Sequence, residues 1–305
     1  MNSQNPWPLR VLGLIISPLI GLALSFGLQG QGLLDELDSL KGLEDSAPDF
    51  VRATFKDTRI VNAQSNETPG AGVLHFVIAH RFGAINEGPY SLWGLDNASM
   101  RMAFDYGLND RLALSLARST YRKTLEGSVK ARLVRQREST GSPVAVTWFS
   151  GMMVNGLRWA DPDRDNLFSS RIAYVHMCVV ARKFRERLSL ALTPALTHRN
   201  LVPTGAEPHD ILTLGFGGRY KFSQRVSLNG ECHPFLSERP SGASTSLSLG
   251  VDIETGGHVF QLHLTNAPGM FEQAYLTEAT GNWADGTLYF GFNLSRVFQL
   301  TERKI

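Results

Sequence analysis

The stretch FDYGLNDRLALSLARS, residues 104–119, contains two alternating runs joined by a short polar turn. Phe104 and Tyr106 precede the turn, Arg111 follows it, and a Leu-x-Leu-x-Leu run comes next. The same arrangement recurs in ARKFRERLSLAL (181–192) and GRYKFSQRVSLNG (218–230). Alternation with a period of two around a tight polar turn is typical of a β-hairpin. The sequence therefore predicts a series of similar antiparallel hairpins.

Alternating runs of this kind continue through the rest of the chain and predict about twelve strands. Their approximate bounds are 72–81, 98–107, 111–119, 126–136, 143–152, 168–182, 186–196, 210–222, 225–235, 243–253, 258–264 and 286–297. Connections after the even-numbered strands are tight, whereas most of those after the odd-numbered strands are long. An even number of antiparallel strands with this asymmetry is typical of a bacterial outer-membrane barrel. We therefore predict an all-β fold, an antiparallel transmembrane-type β-barrel with an N-terminal signal peptide.

The two faces of the predicted strands differ in polarity. In residues 246–254 the even positions are polar or small and the odd positions are aliphatic. A soluble β-sandwich also alternates, with its apolar face inward. We favour the barrel because small side chains are common on the polar faces, as a confined lumen requires. Leu249 and Val251 are then expected to face lipid, and Ser248 and Gly250 the lumen.

The N-terminal region has a different character. Residues 11–28 form the only long apolar run, and Arg10 stands directly before it. We interpret residues 1–27 as a secretory signal peptide. The alternative is a retained anchor, since about 18 apolar residues can just cross a bilayer.

An acidic stretch follows the apolar run. Residues 31–50 carry six acidic residues and one lysine. We assign residues 28–57 to an acidic periplasmic segment with a short helix, and residues 58–305 to the barrel domain. Residues 31–50 are a possible binding site for a periplasmic protein partner, while outer-membrane lipid is the partner expected for the barrel.

Composition excludes several classes of function. The net charge of +2 comes from 30 basic and 28 acidic residues, and no Lys/Arg stripe carries stacking aromatics, so no nucleic-acid partner is expected. The two cysteines, Cys178 and Cys232, lie in no CxxC motif, which argues against zinc. No phosphate loop, dinucleotide fingerprint or haem motif is present, and we expect no cofactor.

Several stretches together resemble a known family. They are TFKDTRIVNAQSNE (54–67), HRFG (80–83), GLDNASMRMAFDYG (94–107), HRNLVPT (198–204), GGRYKFSQRVSLN (217–229), DIETGGHVFQLHLTN (252–266) and FGFNLSRVF (290–298). The chain resembles an uncharacterised family of bacterial outer-membrane β-barrel proteins of the Bacteroidetes type, a domain of unknown function. The resemblance extends from about residue 33 to about residue 300 and implies the barrel, but no activity and no functional residues.

Charged and polar side chains on the predicted lumen parity are the main candidates for a functional site. They are Arg101, Asp105, Lys130, Arg132, Arg219, Lys221, Glu231, Asp252, Glu254 and His263. Opposed charges around a pore can make it selective for ions. Interlocked pairs can equally fill a narrow barrel as a polar plug, and twelve strands enclose a modest interior. We lean towards the plug.

The first long loop holds a second set of candidates. His80 and Arg81 precede it, and Glu87 and Asp96 lie within it. If this loop folds inward, pairing of His80 or Arg81 with Glu87 or Asp96 would form a constriction. The alternative, which we favour, is a salt-bridge network that only fixes the loop.

One acidic loop has the spacing of a calcium site. Asp161, Asp163 and Asp165 alternate as at the start of a calcium-binding loop. Asn166 replaces the turn glycine, however, and Ile172 stands where the bidentate glutamate is needed. We therefore expect no metal site.

Three functions are consistent with these observations. The preferred one is a narrow channel or transporter for small polar solutes. The second is a non-conducting barrel that acts as a membrane scaffold or partner anchor. The third, a barrel-embedded hydrolase, is the least favoured, because the sequence has no GxSxG motif and no distinctive Ser–His spacing. We therefore predict that the protein is not an enzyme.

Overall fold

A computed structural model describes residues 49–139 and 141–301. The predicted signal peptide, and all but the last two residues of the predicted partner segment 31–50, lie outside the described residues. The described part of the chain forms twelve antiparallel strands. They are β1 (Val73–Ala84), β2 (Ala98–Gly107), β3 (Leu112–Ser119), β4 (Leu125–Val134), β5 (Ala145–Val154), β6 (Ile172–Lys183), β7 (Leu188–Arg199), β8 (Asp210–Lys221), β9 (Val226–His233), β10 (Ser246–Thr255), β11 (His258–Thr265) and β12 (Tyr289–Gln299).

The strands form one closed barrel, in which each strand pairs with its neighbours in sequence and β1 pairs with β12. Val77 of β1, for example, lies opposite Ser295 of β12 and Ala103 of β2. Closure leaves every strand with a partner on both sides, as a membrane requires of a β-structure. The predicted fold class is confirmed.

The predicted parity of the strands is also confirmed where we specified it. Leu249 is 46% exposed and Val251 is 36% exposed on the outer face of β10, whereas Ser248 is fully buried. Gly250 is also buried, on the inner face. A barrel with apolar side chains outside and polar side chains inside is the inverse of a soluble sandwich.

The two ends of the barrel differ. β1 begins, and β12 ends, at the end of the barrel that carries the short connections, such as residues 108–111 and 256–257. We call this the turn end. The opposite, loop end carries the long connections, including residues 155–171 and 266–288.

Helical structure in the described residues is limited to short elements. A six-residue helix, α1 (Glu272–Thr277), lies in the β11–β12 loop, where the sequence predicted no helix. Six residues are too few to show a helical period, which explains the omission. Short 3-10 helices span Ile85–Glu87, Pro89–Ser91, Tyr121–Lys123 and Phe168–Arg171. Among residues 49–139 and 141–301, no α-helix is long and apolar enough to cross a bilayer.

Candidate functional site

The lumen is occupied by the chain that precedes β1. Residues 54–67, which we call the inserted segment, fold back on themselves through an isolated bridge between Arg59 and Gln64. The Ile60 N–H donates to the Ala63 carbonyl at 2.8 Å and closes the turn of this hairpin. Most of the segment is buried. The domain boundary predicted between residues 57 and 58 therefore falls within this segment.

The inserted segment enters and leaves the barrel at the turn end. Directly before it, the Ala53 carbonyl accepts a hydrogen bond from Arg219, and near its start Lys56 donates to the Gln224 carbonyl in the β8–β9 turn. After it, the Gly72 N–H donates to the Gly107 carbonyl at 2.9 Å, next to the β2–β3 turn. The hairpin thus reaches into the lumen without passing through it.

Glu231 of β9 holds the tip of the hairpin. Its carboxylate accepts hydrogen bonds from three successive backbone N–H groups, those of Val61 at 3.1 Å, Asn62 at 2.8 Å and Ala63 at 3.0 Å. Glu231 is only 3% exposed. Hydrogen bonds to a carboxylate are stronger than those between neutral groups, and here they replace the water that the buried charge has lost.

Other wall side chains also bind the backbone of the hairpin. Gln261 donates to the Ile60 carbonyl at 2.6 Å, and Asn293 donates to the Val61 carbonyl at 3.3 Å. The Lys130 ammonium donates to the Thr58 carbonyl at 2.9 Å. These contacts satisfy the buried carbonyl groups of Ile60 and Val61, and Lys130 adds to the bond that the Thr58 carbonyl accepts from the Ser65 N–H.

Two glycines on the wall give room to the aliphatic side chains of the tip. A Cβ at Gly217 would overlap Cδ1 of Ile60, so the isoleucine side chain would have to move. A Cβ at Gly250 would lie 3.1 Å from Cγ2 of Val61. The wall is therefore shaped around Ile60 and Val61.

A second part of the chain fills the lumen from the loop end. Residues 266–281, which we call the outer cover, include α1. Phe271, Tyr275 and Leu276 are buried in a cluster with Phe149 and Met177 of the barrel wall. Arg81 of β1 donates to the carbonyls of Ala267 and Gly269 and fastens the start of the cover.

The inserted segment and the outer cover meet at Glu272. Its Oε1 accepts from Arg59 at 2.6 Å and from Gln64 at 2.8 Å. Burial raises the pKa of Glu272, but the positive charges of Arg59 and Arg101 outweigh burial and hold it below its ordinary value. The buried carboxylate is therefore ionised at neutral pH and links the two parts.

Asp57 anchors the entering strand of the hairpin. Its Oδ1 lies 3.0 Å from Nε2 of His75, whose Nδ1 lies 3.3 Å from Oδ2 of Asp105. Burial raises the pKa of Asp57, but the charge and hydrogen bond of His75 outweigh burial and lower it overall. Ser115 and Thr58 donate to Asp105 at 2.5 and 3.2 Å, so both carboxylates have several partners.

The barrel has free space at the turn end. A cavity of about 350 Å³ is lined by residues of the inserted segment, including Lys56 and Glu67, and by wall residues such as Glu254. Two further cavities, beside Arg101 and beside Gln261, hold about 10 Å³ each. That is about the least space that accepts one water molecule.

The structure places the predicted lumen candidates on the inner face, but few of them pair with one another. Arg101 instead forms a two-pronged ion pair with Glu126, with contacts of 2.7 and 3.0 Å. Arg132 pairs with Glu67 at 3.3 Å, and Glu254 pairs with Lys56, both in the inserted segment.

The remaining candidates also have partners from several parts of the chain. Asp252 accepts from Gln261 at 2.5 Å, and the His263 ring contacts Arg81 at 3.1 Å. Lys221 lies at the turn end, 3.8 Å from Glu186.

Neither arrangement considered for the first long loop is found, since His80 and Arg81 form no ion pair with Glu87 or Asp96, either as a constriction or as the favoured salt-bridge network. His80 points outward, where its ring stacks on Phe292 at 5.1 Å between centroids. Arg81 points inward, but it contacts Asn62, His263 and the outer cover. Glu87 and Asp96 are exposed, and Glu87 only accepts from the Ala84 N–H at 3.2 Å. Alternation along β1 separates His80 from Arg81, since neighbouring residues face opposite sides.

The three aspartates of the acidic loop do not converge on one point. Asp161, Asp163 and Asp165 are all exposed, and the contacts of Asp161 are a backbone N–H at 3.2 Å and the Asn166 amide at 2.8 Å. Within the described part of the chain, no three His, Cys, Asp or Glu side chains converge as metal ligands.

Several functional-site residues escaped the sequence reasoning. Glu126 shares the inward parity of Lys130, so alternation could have identified it. Asn62, Gln64 and Glu272 could not have been found in this way, because they lie outside the strands and follow no period.

Residues 55–298 match the family model described as "Membrane bound beta barrel domain (DUF5777)". The chain belongs to this family. The match runs from the second residue of the inserted segment to the last residue but one of β12, which confirms the resemblance to a membrane-barrel family. A Bacteroidetes-type origin stays a prediction. Together with the closed barrel, the family match also confirms the predicted outer-membrane location, where bacterial barrels of this kind reside.

Several solved structures resemble this chain at low sequence identity. They include the NanC porin at 8% identity, with a TM-score of 0.46 over 75% of this chain and 100% of that chain. The KdgM porin has 9% identity and a TM-score of 0.46 over 74% and 99% of the two chains. The COG4313 outer membrane channel from Pseudomonas putida F1 has 13% identity and a TM-score of 0.45 over 76% and 97%. At these scores the likeness carries no functional argument. None of the curated proteins matches this sequence significantly.

Proposed function

We propose that the protein is a gated channel for small polar solutes, held closed by its own inserted segment. The observation that carries this proposal is the path of that segment, which enters and leaves by the same end of the barrel. It can therefore withdraw as a hairpin without unthreading and without breaking the β1 pairing that begins at Val73.

The chemistry of the wall supports an open state. Glu231, Lys130 and Gln261 use charged or amide groups to bind the hairpin. In an open barrel, water would solvate the same groups, although withdrawal also exposes the apolar wall patch of Val179, Ala181 and Ala191 that packs on Phe55 and Ile60. A lumen lined by polar side chains is the normal interior of a conducting barrel.

The outer cover has to move as well. It is joined to the hairpin through Glu272, so withdrawal of Arg59 and Gln64 removes two of the contacts that stabilise the buried carboxylate. An uncompensated buried charge is costly. Departure of the hairpin thus favours displacement of the cover, which couples the two ends of the gate.

The test is ion conductance in planar bilayers. We define the loosened variant as Arg59→Ala with Asn62→Pro, which removes the Glu272 contact and one N–H that Glu231 accepts, and leaves the wall unchanged. The wild type should conduct rarely, and the loosened variant should conduct stably. Tyr90→Ala, at a fully exposed loop position, is the control and should behave as wild type.

A non-conducting scaffold is the second candidate. The apolar packing of Phe271, Tyr275 and Leu276 favours it, because opening would expose this cluster to water. It predicts no conductance from either the wild type or the loosened variant. Absence of current from a loosened variant whose hairpin is accessible to protease would therefore replace the channel with the scaffold.

A further inference from the structure

The wall binds the side chains of the hairpin, as between Arg81 and Asn62, and it also binds the peptide backbone at many points. Six wall side chains contact main-chain atoms of residues 53–66, and they come from six different strands. They are Arg219 to Ala53, Thr147 to Asn66, Lys130 to Thr58, Glu231 to Val61–Ala63, Gln261 to Ile60 and Asn293 to Val61. Groups that bind the main chain do not depend on which side chains the bound peptide carries.

We propose that this ring of wall side chains is a peptide-binding site, and that the solute of the opened barrel is a short peptide that replaces the turn of the hairpin. The inference rests on the proposed gated channel and names its substrate class. The inserted segment is then an internal occupant of the site, which a peptide from solution takes over once the hairpin withdraws.

The hydrogen-bonding groups of the site select against other polar solutes. The carboxylate of Glu231 lies among the cations Lys130 and Arg219, so selection rests on hydrogen bonds and not on net charge. The same carboxylate binds three N–H groups in a row, which a turn of peptide backbone supplies and a neutral sugar does not. Gln261 and Asn293 donate to the neighbouring carbonyls, so donors and acceptors alternate as they do along a peptide.

The space around the ring adds a preference among peptides. Gly217 and Gly250 leave room where Ile60 and Val61 lie. A peptide with two adjacent aliphatic residues fills these positions, whereas aromatic residues exceed the space that the missing Cβ atoms leave. The site therefore takes peptides in general and favours an aliphatic pair at the turn.

The experiment uses the full-length loosened variant, whose wall is intact. The probe is the end-blocked hexapeptide RIVNAQ, the sequence of residues 59–64, with its all-D enantiomer and maltotriose as comparisons. We expect reversible current blocks and fluorescence-anisotropy binding with the L-peptide. The enantiomer presents its N–H and carbonyl groups with the wrong hand, so it should bind at least about 10-fold more weakly, as expected for the loss of one or two hydrogen bonds.

Wall variants in the same background locate the site. Gln261→Ala and Asn293→Ala should each raise the Kd of the L-peptide about 3- to 10-fold, because each removes one hydrogen bond to the peptide. Ser189→Ala, a buried residue of the β7 wall, should leave the Kd unchanged. Equal Kd values for all three variants would place the peptide elsewhere and overturn the site.

The two proposals fail in different ways. The peptide site is overturned, and the channel retained, if the loosened variant conducts but binds neither the L-peptide nor its enantiomer. The same conclusion follows if maltotriose blocks the current as well as the L-peptide does. A loosened variant that binds the L-peptide without conducting retains the peptide site as a receptor and overturns the channel. If the loosened variant does not fold, Arg59→Ala alone replaces it in both measurements.

Discussion

Arg59 and Glu272 form an ion pair of 2.6 Å inside the barrel, although they are 213 residues apart in the chain. Arg59 belongs to the hairpin that enters from the turn end, and Glu272 to the loop that enters from the other end. The side chain of Glu272 is 1% exposed. Because such a buried carboxylate needs compensating charge, the inserted segment and the outer cover stabilise each other inside the barrel.

Loss of the arginine should therefore be costly. Arg59→Ala leaves Glu272 buried with less positive charge around it, and we expect a loss of about 3–5 kcal/mol in unfolding free energy. The measurement is denaturant unfolding in detergent, followed by the heat-dependent gel mobility of folded barrels. Glu186→Gln is the control, since the side chain of Glu186 is 74% exposed and its pairing with Lys221 should contribute about 0–1 kcal/mol. Similar losses in both variants would contradict a buried lock.

Neighbouring residues of β10 should respond differently to the same substitution. Leu249→Arg places a charge on the lipid face and should cost about 2–4 kcal/mol if it lies near the bilayer midplane. Ser248→Arg introduces the charge where Ser248 contacts Asn62 at 2.9 Å and Thr265 at 2.9 Å. We expect it to displace the hairpin and raise conductance while the barrel stays folded. Insertion and folding assays measure the loss of stability in Leu249→Arg, and bilayer recording measures the change of conductance in Ser248→Arg.

Acidification should release the hairpin. The pKa values of Asp57 and Glu272 are held below their ordinary values of 3.8 and 4.5. A carboxyl group whose pKa is lowered in the closed state stabilises that state fully when the pH is above its ordinary pKa. This stabilisation is lost as the pH falls through the lowered pKa. We therefore expect the open probability to be constant near neutral pH and to rise below about pH 4.

Amide substitutions provide the matching test of this pH dependence. Asp57→Asn and Glu272→Gln each remove one of the titrating groups, so each should flatten the rise in conductance below about pH 4. Asp163→Asn, at an exposed carboxyl of the β5–β6 loop, should leave the profile unchanged. An unchanged profile in the first two variants would show that other groups control release.

The strands could be predicted from the sequence because each carries its own signal. Residues 98–107 were predicted as a strand and form β2 with the same bounds, and the alternation around Leu249 gave its outward direction. Period-two patterns depend only on local neighbours and on the contrast between lipid and lumen. This contrast is strong in the barrel, so the fold class and the parity needed no information from distant parts of the chain.

The site could be predicted only in part, because its decisive contacts are long-range. Glu231 was recognised as an inward residue, but its partner Asn62 lies 169 residues away in a stretch with no period. The outward direction of His80 was also missed. A histidine can be a polar loop residue or an aromatic ring that stacks on a neighbour such as Phe292, and the sequence does not distinguish the two. Patterns identify which wall residues face inward, whereas only the fold identifies what they bind.

A reversible cross-link should fix the hairpin in the closed state. A Cβ at Gly250 would lie 3.1 Å from Cγ2 of Val61, so cysteines at both positions fall within the reach of a disulfide. We expect Val61→Cys with Gly250→Cys to form this bond in the oxidising periplasm when Cys178 and Cys232 are replaced by alanine. The oxidised protein should run faster on a non-reducing gel.

Conductance of the cross-linked protein then tests the gate directly. In an Arg59→Ala background the oxidised form should be silent, and a reducing agent should restore the current, because only the hairpin is tethered. Val61→Cys with Leu249→Cys is the matched control, since Leu249 faces lipid and cannot reach the hairpin. Its current should not depend on the reducing agent. A cross-linked protein that conducts as well as the reduced one would mean that ions pass the barrel without movement of the inserted segment, and the gate would have to be sought in the outer cover.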